Sequence, residues 1–197
     1  LMQWNKGLLF LYGMETVLSF FLVFFFEPGL SFLSGWQKGQ EHQTEEVFSA
    51  LFLLSLFVQG CPAFQWGEIM PVKVIVCFVI LCTGYLYGTT MGAAGGIVFG
   101  MVLYLEEKMQ VGRGLELLLE QGLFADKTMM GAILSLAICG MVAGVCREVS
   151  KFASAGAFFV SGVILTVSGL EGAGILSHAV ELFIAAMGFL LLPVETG

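Results

Sequence analysis

Residues 82–101 read CTGYLYGTTMGAAGGIVFGM, and glycine returns there at every fourth position: Gly84, Gly88, Gly92, Gly96 and Gly100. Residues four apart share one face of a helix. In water such a helix is poor, since each glycine costs about 1 kcal/mol against alanine. In lipid the bare face has a use, because it lets a second backbone approach closely. The rival reading is a phosphate-binding loop. The run holds no G-x-G-x-x-G and no glycine followed by Lys-Ser/Thr, so neither nucleotide fingerprint is met. The stretch is a packing comb.

The run around the comb sets its geometry. Apolar sequence continues from Pro71 to Leu105, which as one straight helix would extend about 52 Å against a hydrocarbon core of about 30 Å. It must break, and YGTTMG at 87–92 is the place. Two short helices follow, 72–87 and 91–105, with Gly88 near the break and Gly92, Gly96 and Gly100 lining the second. The same small-residue spacing recurs at Gly140 and Gly144, so the two glycine faces are expected to pack on each other.

Composition agrees. Of 197 residues 58% are hydrophobic and 12% charged, with a mean hydropathy of +0.93. Soluble domains carry about 25% charged residues. Nineteen Phe and 26 Gly fit a bundle with large side chains toward lipid and small ones between helices. The apolar runs are continuous rather than alternating, which argues against a β-barrel. The expected fold is all-α, a polytopic membrane bundle of about seven transmembrane helices in one domain, with spans near 7–26, 45–60, 72–87, 91–105, 128–146, 152–170 and 175–193. Thr44 can cap the second, with Glu45 and Glu46 in its first turn. The chain opens at Leu1 and closes at Gly197, four residues past Pro193, and is expected to be a piece of a longer protein.

Seven spans put the two ends on opposite sides. The short basic link holding Arg147 and Lys151 places itself and the C-terminus in the cytoplasm. Lys108, Arg113 and Lys127, in the interval after the fourth span, vote the other way. The five cysteines show no C-x-x-C, and four lie in apolar runs, so they read as small buried hydrophobes.

Few residues could carry chemistry. Glu15 and Glu181 lie inside apolar spans, and His178 is three residues before Glu181 on the same helix face. An intramembrane carboxylate marks a proton or cation site by default. The plainer alternative, a hydrogen-bonded Glu that helps helices pack, is preferred. Two histidines, His42 and His178, are too few for a zinc site. There is no G-x-S-x-G or H-E-x-x-H motif, and no basic stripe for nucleic acid. No catalytic, cofactor-binding or metal-binding residue is expected in this chain.

The segments TEEVFSALFLLSLF, GTTMGAAGGIVFGMVLYL, ICGMVAGVCREVSKFASAGAFFVSGVIL and HAVELFIAAMGFLLLP occur in that order. Together they resemble the membrane-spanning N-terminal region of stage II sporulation protein E. The resemblance covers most of Gly13 to Pro193. It departs from the family's pattern at Glu148, which dilutes the basic turn, and in lacking the earliest spans. It implies a multi-pass region of the cell membrane that places a cytoplasmic, manganese-dependent serine/threonine phosphatase at the asymmetric division septum and so switches on forespore transcription. None of the phosphatase's metal-binding aspartates falls in this chain. Expected partners are the lipid bilayer, with a second copy of the chain and proteins of the division septum as further candidates. The competing function is a small-solute or ion transporter using Glu15 and Glu181.

Overall fold

The computed structural model describes residues 16, 19, 20, 23, 26–31, 44–60, 70–110, 127–168 and 175–192. Regular structure among them is helical throughout, in the order α1 (Thr44–Gly60), α2 (Pro71–Tyr87), α3 (Thr89–Gln110), α4 (Lys127–Cys146), α5 (Lys151–Val167) and α6 (Ile175–Leu191). Residues 16, 19, 20, 23 and 26–31, ahead of α1, are helical too. The all-α expectation holds. Among the described residues, no helix is long and apolar enough to cross a membrane. Glu15, His42 and Pro193 lie outside the described residues, as does the interval at 111–126.

The chain forms two compact units, Leu1–Leu54 and Ser55–Gly197, with the boundary inside α1. In the first, Gly29 is buried against the Leu53 side chain, and Ser31 Oγ donates to Glu46 Oε1 at 3.1 Å. Glu45 and Glu46 stand in the first turn of α1, where carboxylates complement the helix dipole.

The second unit is built on α2, which packs against α3, α4 and α6 and more lightly against α5. Its beginning is dictated locally. Met70 is extended and Pro71 takes the first helical position, where a missing N–H costs nothing. Its end is a single residue, Gly88, at φ 90° and ψ −172°, a conformation essentially reserved for glycine. The Gly88 N–H closes α2 on Gly84 O, while Gly88 O opens α3 by accepting from Gly92 N, both at 3.0 Å.

The break therefore falls inside YGTTMG, and it is tighter than the sequence suggests, since Thr89 and Thr90 already belong to α3. At its far end α3 runs to Gln110 rather than Leu105. Hydropathy stops at Glu106, but Glu and Lys are good helix formers and the backbone continues. Ser150 caps α5, its Oγ accepting from Ala153 N at 3.0 Å. The core gathers Val76, Ile80 and Leu81 of α2 with Phe99, Phe158, Leu182 and Phe189 from three neighbouring helices, all at or near zero exposure.

Candidate functional site: a glycine seam between charged caps

The comb of α3 lies against α4 with backbone on backbone. A Cβ at Gly92 would sit 2.8 Å from Gly140 C and 2.8 Å from Gly84 Cα, and one at Gly96 would sit 2.5 Å from Ala137 Cα. At Gly100 it would meet Ile133 Cα at 2.9 Å. From the other side, a Cβ at Gly140 would meet Gly92 C at 2.6 Å, and one at Gly144 would meet Thr89 N at 2.5 Å. Real Cβ atoms essentially never come within 3.0 Å of such neighbours. Gly84 joins the seam from α2, with Gly140 O only 2.6 Å from where its Cβ would stand. Three helices thus meet at Gly84, Gly92 and Gly140. At Gly88, added bulk would meet the Arg147 guanidinium, 3.2 Å from the Cβ position.

Polar side chains close the two ends of this bundle. At one end, Glu181 and His178 are both buried in the first turns of α6. The carboxylate is shared: Oε1 accepts from the Met70 N–H at 2.9 Å, and Oε2 lies 3.3 Å from His178 Nδ1. Met70 precedes α2 as its N-cap residue, and its own side chain makes no capping hydrogen bond. Glu181 therefore does for α2, from another helix, what a capping residue normally does from within its own. Its oxygen stands at the N-terminal end of α2, where free backbone N–H groups call for an acceptor. Glu15 is outside the described residues, so only His178 and Glu181 of the three polar candidates are brought together.

At the other end, the α4–α5 turn supplies cations to two helix C-termini. Arg147 Nη1 donates to Leu86 O at 3.3 Å, in the last turn of α2. Lys151 Nζ donates to Leu190 O at 3.3 Å and to Leu192 O, and stands 5.1 Å from the centroid of the Phe189 ring. The Phe189 ring in turn meets Tyr85 of α2 edge-on, with centroids 5.2 Å apart. Lys151 opens α5, where a positive charge faces the unfavourable pole of the dipole, yet it reaches the favourable pole of α6. The sequence marked both residues as basic. It could not show their partners, which are 61 and 39–41 positions away.

Hydroxyls between the ends are satisfied by backbone. Ser154 Oγ donates to Ala143 O on α4 at 2.7 Å. Thr83, Ser135, Ser161 and Thr166 donate to carbonyls three or four residues back in their own helices. Cys77 and Cys139 are buried thiols and Cys82 and Cys146 half-buried ones. Among the described residues, no three His, Cys, Asp or Glu side chains converge as metal ligands. The arrangement holds helices together at close range and fixes their ends.

Comparison with known proteins follows the same lines. Residues 2–125 match the family described as SpoIIE, N-terminal domain. The chain is also similar to the stage II sporulation protein E of Bacillus subtilis (strain 168), 23% identical over 179 residues, which cover 91% of this chain and 19% of that protein. The chain thus spans about a fifth of the length of the curated relative it matches. No solved structure matches it. On the family match over more than half of its length, with the relative aligned across nearly all of it, the chain belongs to the SpoIIE N-terminal domain family.

Proposed function

We propose that this chain is a membrane anchor and assembly region, itself non-catalytic, of a stage II sporulation protein E-like serine/threonine phosphatase that activates forespore transcription. The observation that carries the membrane part is an uncharged apolar belt. Ile75, Ile97, Leu134, Val160, Ile164 and Phe183, drawn from all five helices α2–α6, are exposed large hydrophobics. Of the charged side chains described in these helices and their turns, Lys73, Arg147, Glu148 and Lys151 stand at helix ends or in the turn, and Glu181, six residues into α6, is buried away from the belt. Large exposed apolar side chains on every one of five neighbouring helices are unusual for a surface that faces water. The back-bonded serines and threonines fit the same setting, because lipid offers hydroxyls no other partner.

The helices are short for the task. Seventeen residues, the length of α2, α5 and α6, rise about 25 Å, below a typical hydrocarbon core of about 30 Å. Local thinning of the bilayer and snorkelling of Lys73, Arg147 and Lys151 would make up the difference at a modest cost. Because Lys151 holds the end of α6, the basic turn and the C-terminal end of that helix share one side. The short basic turn and a phosphatase domain following α6 both favour the cytoplasm for that side, against the vote of Lys108, Arg113 and Lys127.

The test is extraction and labelling of the full chain in membranes. It should stay in the pellet at alkaline pH. In a background with the native cysteines replaced, Glu148→Cys should react with a membrane-impermeant maleimide only from the cytoplasmic side, and Ser168→Cys only from the other. Release into the supernatant, or labelling of both from one side, would refute the spanning arrangement.

A further inference from the structure

The geometry points to Lys151 as a clasp that fastens the outgoing end of α6 to the α4–α5 turn and, through it, to the α2–α3 hairpin. The last turn of α6 has little else to hold it. Leu191 is 81% exposed and Leu192 38% exposed, so only Phe189 contributes a buried side chain there. The fastening is the Lys151 ammonium on the Leu190 and Leu192 carbonyls and over the Phe189 ring. From Phe189 the contact passes to Tyr85. From the same turn, Arg147 passes to Leu86 and lies over Gly88. The Arg147–Lys151 turn therefore touches the end of α2, the Gly88 that joins α2 to α3, and the end of α6. The arrangement can be released, because an ammonium on a flexible stem trades carbonyl partners for water readily. Whatever pulls on the chain beyond Leu192 acts first on this clasp and then on the hairpin that begins the glycine seam. The clasp does not depend on whether the helices lie in lipid.

Hydrogen exchange of the full chain in detergent, compared for wild type, Lys151→Met and Lys151→Arg, tests it. Removing the charge should raise exchange at residues 189–192 at least tenfold. It should raise exchange at 88–90 by a smaller but measurable factor. The first turn of α5 should keep or gain protection, because a cation is removed from its unfavourable end. The arginine variant should stay near wild type. General destabilisation would loosen α5 and α6 alike, so a parallel rise in both overturns the clasp. Unchanged exchange at 189–192 overturns it too, and a loosened α6 with 88–90 unaffected overturns the coupling. If the methionine variant does not fold, Lys151→Gln is read against the same outcomes.

Discussion

Gly92→Ala adds one methyl group at the point where three helices meet. Its carbon would stand 2.8 Å from both Gly140 C and Gly84 Cα, whereas ordinary contact begins at 3.4 Å. Relief requires a shift of more than about 0.6 Å away from α4 and α2 at once, because the Gly140 carbonyl oxygen stands closer still. Both obstacles are backbone, so no rotamer change can absorb the methyl. Overpacking of this kind costs about 1–3 kcal/mol, and the backbone setting argues for the upper end, ~3 kcal/mol. Alanine returns about 1 kcal/mol in helix propensity, leaving a net loss of roughly 2 kcal/mol. Gly156 supplies the control. It lies in α5 with nothing within 4 Å of its Cβ position, so Gly156→Ala should keep the propensity gain and stabilise by up to about 1 kcal/mol. Equilibrium unfolding of the two variants in mixed micelles, followed by circular dichroism, gives the comparison. The two substitutions should move stability in opposite directions, separated by about 3 kcal/mol. Equal effects would mean that the seam is not in backbone contact, and the account of the comb would fail.

Two further substitutions probe the ends. Glu181→Leu leaves the half-buried Met70 N–H without its acceptor and should cost about 1 kcal/mol or more; Glu181→Gln keeps a carbonyl oxygen in place and should cost clearly less. Unfolding of the pair in the same micelles checks this, and equal losses would show that the hydrogen bond to Met70 contributes nothing beyond charge. Gly88→Ala forces a side chain into a glycine-only conformation, for about 1–3 kcal/mol. Thermal unfolding in the same micelles, followed by circular dichroism, should register it as an earlier transition, and an unshifted transition would refute the strained turn.

The path from sequence to this structure was uneven for physical reasons. The break near Gly88 was legible because a length limit and a local glycine signal agree. The extension of α3 past Leu105 was not, because hydropathy reports where lipid-like sequence ends while backbone hydrogen bonding reports where a helix ends. His178 and Glu181 were legible as a pair through their spacing of three. Their third member, the Met70 N–H, is a backbone group 111 positions from Glu181, and no side-chain pattern announces it. In the sequence, Arg147 and Lys151 signal only sidedness, through their charge. That they also cap α2 and α6 depends on the antiparallel stacking of the helices, which brings remote carbonyls to one turn.

The glycine seam has one more consequence, in entropy. Side chains that pack between helices must give up rotamers, up to about 2 kcal/mol for the long flexible ones, whereas glycine and alanine have none to lose. Gly92, Gly96, Gly140, Gly144 and Ala137 join α3 to α4 with surfaces that are already rigid in the separated helices. The ordering cost of docking is then confined to the backbone, which each helix has met on its own before they touch. Pre-rigid surfaces let individually weak dispersion contacts count nearly in full toward association. The tightest joint in the bundle is thus also the one that loses the least side-chain freedom in forming.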